Sequence, residues 1–385
     1  MLKENWTYKK LTDVCDIQYG YPFDSACFST SPDGGMPLIR IRDVKDGCTS
    51  TYYKGDYPKE YIIHKGDYLV GMDGEFNIAP WRSEDALLNQ RVCKVASKCE
   101  DVSMGFLYRF LIKELKKIED ETPFVTVKHL SAKRLNQVYL YIPSLPEQQH
   151  IVSELDLLQS IIDKQQAQLK ELDKLAQAIF YDMFGDPVEN EKGWEKKTLK
   201  DSVIEMFLGP FGSALKTDCY VDKEASYCMI YEQKHAIKKI MDVDTHYIDK
   251  AKFDSLKRFE VHSGDFIMSC RGTIGEIYRI PQDAPMGIIH PSLMKIRIRE
   301  DIYHPTFFLW LLSRIIKNEN TNGNCVQMAI TAKELGTRKP ILPPLSLQQS
   351  FAAKIESIEK QKAAISQSMA ETQKLFDYTM DKYFG

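Results

Sequence analysis

Short runs rich in β-branched and aromatic residues, bounded by Gly, Asp or Pro, alternate along this chain with two kinds of longer amphipathic segment. PLIRIRDV from Pro37, DYLVGM from Asp67 and RVCKVA from Arg91 read as strands. FLYRFLIKELKKI follows, and its apolar residues Phe106, Phe110, Leu111, Leu115 and Ile118 fall on one face of a helix. The same order returns later in the chain as YCMIYE, DFIMSC, LMKIRI and FFLWLLSRII. Each block therefore predicts an α+β domain.

The second kind of segment carries a heptad. Ile151, Leu155, Leu158, Ile162, Leu169, Leu172, Ala176, Ile179 and Met183 advance by alternating steps of four and three, with Gln165 as the one polar member. A later stretch places Phe351, Ile355, Ile358, Ile365, Met369, Phe376 and Tyr383 in the same way, interrupted by Lys362, Thr372 and Thr379. Ser144 followed by Glu147, and Ser346 followed by Gln349, have the Ser-x-x-Glu/Gln form that caps a helix start. From Ile151 to Met183 such a helix runs about 48 Å at 1.5 Å per residue. It cannot bury its seam alone. The chain supplies two such helices, each preceded by a globular block, so the expected architecture is an antiparallel coiled coil with a domain at each end, a dumb-bell.

The chain also matches itself. Trp6 pairs with Trp194, Leu11 with Leu199 and Pro22-Phe23 with Pro210-Phe211 at an offset of 188. Gly66-Asp67-Tyr68 matches Gly264-Asp265-Phe266 at 198, and Lys94-Val95 and Phe106 match Lys295-Ile296 and Phe307 at 201. From Ala132-Lys133 to Phe184-Gly185 the offset holds at 200 without a gap. One unit has been duplicated, with a variable part before a constant part. The boundaries expected are a domain over 1–143, a helix over 144–187, a second domain over 188–343 and a second helix over 344–385. The fold class is α+β with an internal pseudo-two-fold repeat.

Composition adds limits rather than identity. A chain of 385 residues with 43% hydrophobic and 27% charged residues suits two folded domains, not a disordered chain. No apolar run approaches the roughly 18 to 20 residues of a membrane helix, and MLKENWTYKK lacks the apolar core of a signal peptide, so the expected location is the cytoplasm. Nine cysteines scattered from Cys15 to Cys325, with no CxxC pair, read as reduced structural thiols and not as a zinc site. The net charge of −3 lacks the basic excess of many DNA-binding domains. Its distribution says more: residues 146–188 hold 3 basic against 8 acidic side chains, while the larger blocks on either side are nearly balanced. A nucleic-acid surface would need its cations segregated to one face of each block.

The duplicated α+β block, the P-L-x-x-Q-Q helix starts (Pro143 to Gln149, Pro343 to Gln349) and the long helices closing in Phe-Gly together resemble the specificity subunits of type I restriction-modification enzymes. The resemblance covers essentially the whole chain. It implies that the two blocks are target recognition domains, each reading one half of a split, asymmetric site in double-stranded DNA, and that the helices are the spacer. It also implies a non-catalytic chain that binds no cofactor itself. Two modification subunits, carrying S-adenosylmethionine and methylating adenine, would be its partners, with restriction (motor) subunits completing the complex and no membrane involved. Modules reading one side of a duplex should sit about one helical turn apart, roughly 34 to 36 Å or a multiple of it, a distance such helices can span.

Base reading needs Arg, Lys, Asn, Gln or acidic side chains on loops, with cations facing phosphates. The candidates in the first domain are Arg40, Arg42, Lys45, Arg82, Gln90, Arg91, Lys128, Lys133 and Arg134. In the second they are Gln233, Lys234, His235, Lys238, Lys239, Arg271, Lys333 and Arg338, with Arg271 and Lys234 favoured because the two copies align there in a loop after a strand. Trp81 and Trp310 read as core.

Two other readings compete. Pro32-Asp33 followed by Asp43-Val44-Lys45 fits a PD…DxK metal-dependent nuclease in outline, but the second copy, with Glu232-Gln233-Lys234, lacks the upstream Pro-Asp. The alternative is a coiled-coil assembly scaffold without DNA readout, which has no evident need for two diverged copies of one domain. The chain has no GxxxxGK[ST], HExxH, GxSxG or Asn-Pro-Pro-aromatic motif, so methyl transfer would belong to a partner. Gly209-Pro210-Phe211-Gly212 resembles a phosphate-binding turn only superficially, since its aligned partner Tyr21-Pro22-Phe23-Asp24 lacks both glycines.

Overall fold

The computed structural model describes residues 5–123, 128–321 and 329–385, with the side chains of 317–321 left aside. Cys325 lies outside the described residues. The chain divides into two compact units, one of Met1–Ala167 with Ser366–Gly385 and the other of Gln168–Ile365. Each long helix thus contributes its first part to one unit and its last part to the other.

In the first unit a four-stranded antiparallel sheet has the order Cys15–Tyr19, Val92–Ser97, Tyr68–Gly71, Asn77–Pro80. Helix Met104–Glu121 turns Phe106, Leu107, Phe110, Leu111, Leu115 and Ile118 into the core, and Ser103 caps it by accepting the Phe106 N–H at 3.2 Å. A smaller sheet pairs Met36–Ile39 in parallel with Ala86–Leu88, and its fully buried Leu38, Ile39, Leu87 and Leu88 explain the continuous apolar runs.

The second unit repeats this plan. Its antiparallel sheet has the order Val203–Leu208, Leu293–Ile298, Phe266–Ser269, Ile277–Arg279. Its smaller sheet pairs Cys228–Tyr231 in parallel with Gly287–Ile289, and Pro305–Thr321 is the counterpart helix. The Gly-Asp repeat marks one turn built twice: Gly66 and Gly264 adopt φ of +97° and +86°, and the following carboxylates accept the N–H of His64 at 2.9 Å and of His262 at 2.8 Å. Asp67 then binds Lys94 at 3.1 Å, whereas the buried Asp265 binds Arg297 through two hydrogen bonds of 2.6 and 2.8 Å. Arg297 and the buried Lys295 also share Glu205.

Two local expectations are corrected. PLIRIRDV is a strand only over Met36–Ile39; Asp43–Asp46 is a helical turn, because the Asp43 carboxylate accepts from Arg40 N and Thr49 Oγ1, each at 2.8 Å, and folds the chain back. YCMIYE likewise ends as a strand at Tyr231, and Gln233–Lys238 is helical. The second correction concerns the capping boxes. The long helices run Leu145–Phe184 and Leu345–Phe384, so Ser346 lies inside the first turn and its helix starts after Pro344.

What the two starts share is a buried glutamine. The Gln148 amide accepts the Ser103 N–H at 2.8 Å and donates to the carbonyls of Asp101 at 2.8 Å and Pro143 at 2.9 Å. Gln348 repeats this with His304 N, Ile302 O and Pro343 O at 2.8, 3.0 and 2.9 Å. Both side chains are completely inaccessible to solvent.

Within each unit the two helix segments run antiparallel. In the first, Gln165 bonds Ser368 at 3.0 Å and Tyr383 bonds Glu154 at 2.8 Å; in the second, Lys362 pairs with Asp173 at 2.9 Å and Phe180 meets Phe351. Ile151, Leu155, Leu158, Ile162, Phe351, Ile355 and Ile358 are buried, while Leu169, Leu172, Ile179, Ile365, Met369 and Phe376 are half-buried. The polar seam positions reach across the pair, Lys362 to Asp173 and the Gln165 amide nitrogen to Ser368, while Gln165 Oε1 is buried without a partner. The Phe-Gly endings have their own role: Phe384 packs 5.3 Å from Phe106 in the first unit and Phe184 packs 4.6 Å from Phe307 in the second.

The Gln-Gln doublet gives an internal control. Gln348→Leu should destabilise the chain by about 3 kcal/mol, since it strands a buried N–H and two carbonyls, whereas Gln349→Leu, on the exposed side, should change it by less than about 0.5 kcal/mol. Urea unfolding of the two variants decides this, and equal effects would refute the assigned role.

Candidate DNA interface

In both units a loop leaves the third strand of the four-stranded sheet and is clamped by the segment before a short helix. In the first unit Leu130 N donates to Met72 O at 2.7 Å and Asp73 bridges His129; in the second Ile330 N donates to Cys270 O at 3.0 Å and Arg271 bridges Ala329. Asp73 and Arg271 hold the same backbone position. The repeat therefore presents opposite charges on one scaffold.

Around the first loop, Arg91 pairs with Asp73 at 3.4 Å, the His129 imidazole also meets Asp73, and Lys45 pairs with Glu75 at 3.6 Å. Arg40 and Arg42 stand exposed beside the Asp43–Asp46 turn, Arg42 at 3.7 Å from Asp43 and Arg40 over the Phe28 ring. The Arg82 stem packs over Gly47, and its N–H donates to Gly47 O. Gln90 is exposed next to these. Lys133 and Arg134 lie on the short helix Ala132–Leu135, where Arg134 pairs with Glu121 at 2.9 Å. Lys128 has its ammonium on Glu119 O at 2.5 Å, tying off a helix end.

In the second unit the loop Cys270–Gly275 projects Arg271 into solvent. Gln233 donates to Arg271 O at 2.5 Å, so its amide positions the loop. Lys234 pairs with Glu232 at 2.9 Å, and Lys239 with Glu276 at 3.5 Å, while Lys238 is exposed. His235 is fully buried: its Nδ1 accepts the Glu232 N–H at 2.9 Å and caps the helix, which removes it from the surface. Lys333 lines a separate groove with Lys200 and Lys339, and Arg338 is exposed nearby.

A cleft of about 420 Å³ beside Gln233 and Lys234 is lined by Tyr220, Glu232, His246, His290 and Ser292. Burial raises the Glu232 carboxyl, but hydrogen bonds from His246 and Lys234 outweigh it and hold the group below its usual range. Burial also lowers the imidazole of His290 and that of His235. His129, His246 and His290 were missed from sequence because only contacts between distant segments, with Asp73 for His129 and beside Glu232 for the other two, bring them together with these loops.

Gly20 and Gly209 occupy equivalent places. A Cβ on Gly20 would stand 2.0 Å from Asn89 O, and one on Gly209 2.2 Å from His290 O, so the first glycine of the GPFG turn does have a counterpart, one residue off the sequence alignment. The following Phe23 is buried against Tyr53, while Phe211 is 88% exposed. Among the described residues no group of three or more His, Cys, Asp or Glu side chains could hold a metal; Asp33 bonds Ser31, away from the buried Asp43. Cys15 and Cys93 are buried thiols pushed up to about 11 and about 12. No helix among the described residues is long and apolar enough to cross a membrane.

This duplicated scaffold, with variable polar loops on a repeated frame, has counterparts among known proteins. Residues 3–174 match the family described as "Type I restriction modification DNA specificity domain". The whole chain aligns at 29% identity with the EcoBI specificity subunit of Escherichia coli, over 86% of that protein. It is 24% identical, over 93% of this chain and 88% of the relative, to the putative MjaX specificity subunit of Methanocaldococcus jannaschii. Among solved structures, the S subunit from M. genitalium shares the fold at a TM-score of 0.54 with 14% identity, covering 100% of this chain and 98% of that one. A chain from a structure on complex assembly and conformational transition of the type I R-M system shares it at 0.63 with 18% identity, covering 99% and 98%. Along its whole length the chain is thus similar to specificity subunits of type I restriction-modification systems.

His235 and His290 give the second unit a pH dependence. Their folded pKa values lie below the unfolded value near 6.5, so the unfolded chain binds more protons below that pH. Stability should be full above about pH 6.5 and fall as the pH drops through the folded values. His235→Gln keeps a hydrogen-bond acceptor and removes one titrating group, and should flatten the pH dependence of the melting temperature between about pH 6.5 and 5.

Proposed function

We propose that each unit reads one half of a bipartite, asymmetric DNA site, and that the long helices fix the gap and dock two modification subunits. Those partners would carry S-adenosylmethionine and methylate adenine, with restriction subunits joining the same assembly. The observation that carries this reading is the shared loop position holding Asp73 in one unit and Arg271 in the other. Arginine pairs with the O6 and N7 acceptors of guanine, whereas a carboxylate accepts from the cytosine amino group. Two copies of one frame with inverted chemistry at one loop position, exposed at Arg271 and half-buried at Asp73 beside Arg91 and His129, suit two unlike half-sites. An assembly scaffold has no use for that inversion.

Sequencing of methylated adenine in DNA from cells expressing this chain with its modification subunit should give two short defined blocks separated by a fixed gap. Arg271→Ala should loosen one block only, with a loss of about 1–3 kcal/mol in discrimination at a single position. A continuous motif, or equal loosening of both blocks, would overturn the reading.

A further inference from the structure

Three loops of the second unit meet at one end of its four-stranded sheet. Strand Val203–Leu208 runs into Gly209-Pro210-Phe211, Phe266–Ser269 runs into the Arg271 loop, and His290-Pro291-Ser292 leads into Leu293–Ile298, the antiparallel strand between them. The three are bonded side by side: Gly209 N donates to Leu293 O and Cys270 N to Ser292 O, each at 2.9 Å. Neighbouring strands lie about 4.8 Å apart, so the backbones of Phe211 and Arg271 stand about 10 Å from each other, the rise of about three base pairs.

The spacing from the close-approach glycine decides where the Phe211 ring points. In the first unit Phe23 follows Gly20 by three residues, and its ring is buried against Tyr53. Phe211 follows Gly209 by two. In an extended segment one residue fewer turns a side chain to the opposite face, and Phe211 is 88% exposed. Its backbone is nonetheless held: it is extended at φ −59° and ψ 144°, Ala214 N donates to Phe211 O at 2.8 Å, and Leu215 is buried just beyond. A ring on a fixed turn loses little conformational freedom when a partner covers it.

The charge at this end of the sheet suits a polyanion. Residues 209–217, 270–275 and 290–292 include Lys216 and Arg271 and no Asp or Glu, in a chain whose net charge is −3. We propose that Phe211 packs on the C5-methyl group of a thymine in the major groove, within about three base pairs of the guanine assigned to Arg271. The inference rests on the half-site reading above. Arginine reaches guanine O6 and N7 from the major groove, and among the donors and acceptors of that groove the thymine methyl is the apolar feature an aromatic ring can cover. Phe23, turned inward, leaves the first unit without this contact.

The test uses the full chain together with its modification subunit. Phe211→Ala removes an exposed ring and should leave the fold intact. Adenine-methylation sequencing should then show one thymine position relaxed in the block that Arg271→Ala loosens, within about three base pairs of the guanine. On synthetic duplexes, uracil at that position removes the methyl group alone. It should weaken binding of the unaltered complex about three- to tenfold, the size expected for one buried methyl, and leave binding of the Phe211→Ala complex unchanged. Phe211→Leu, still apolar, should keep the thymine preference. An unchanged motif in Phe211→Ala overturns the proposal, as does an equal effect of uracil on both complexes. Loss of modification-subunit affinity with the motif intact also overturns it and assigns the ring to a protein contact. A split motif that ignores Phe211 defeats this inference alone, whereas a continuous motif from the unaltered chain defeats the half-site reading beneath it.

Discussion

A single buried amide, used twice, governs how each long helix is attached. Gln148 and Gln348 each bond two backbone groups of the segment that leads into the counterpart helix and one carbonyl just before their own helix, that of Pro143 or Pro343. An amide without those partners would cost several kcal/mol in a dry interior, so the helix start has one acceptable position against the globular part. The seam follows from that register, and within it Lys362 meets Asp173 and the Gln165 amide nitrogen meets Ser368. At the far end of each helix, a phenylalanine in an aromatic cluster and a glycine that stops the helix complete the attachment; Gly185 does so at φ +73°.

On this frame the two copies have diverged where side chains leave the core. Backbone demands are common to both: the close approaches at Gly20 and Gly209, and the turns at Gly66 and Gly264, tolerate no Cβ or no negative φ. Side-chain chemistry is free to change around them. The single Asp67–Lys94 pair becomes a network of Asp265, Glu205, Lys295 and Arg297 in the second unit. Asp73 faces Arg271 across the repeat, and Phe23 is buried where Phe211 is exposed. The proposed reading of two unlike half-sites would draw on this division between fixed backbone and variable surface.

Several features were legible because they arise from periodicity or from identity between the copies. The helix Met104–Glu121, the central strands, both long helices and the antiparallel pairing within each unit follow from spacing that only one secondary structure can bury. The misreadings share a cause. A serine near a helix start and an Ile-Arg-Ile alternation are local signals, and each was overridden by distant groups: Thr49 donating to Asp43, and Ile302 O accepting from Gln348. Gln233, Lys128 and His235 looked like surface binding groups because their types permit it, but the Gln233 and Lys128 nitrogens donate to backbone carbonyls and the His235 ring is buried with its Nδ1 on the Glu232 backbone.

The sequence by itself determined the duplication, the α+β class, the heptad seam and the family resemblance, because these depend on patterns repeated along the chain. Only the tertiary structure decided which cations stand free, which are tied to carbonyls, and where loops from separate segments meet. Those outcomes depend on contacts between residues far apart in sequence, whose energies are set by burial and geometry, and no local pattern of residue types encodes them.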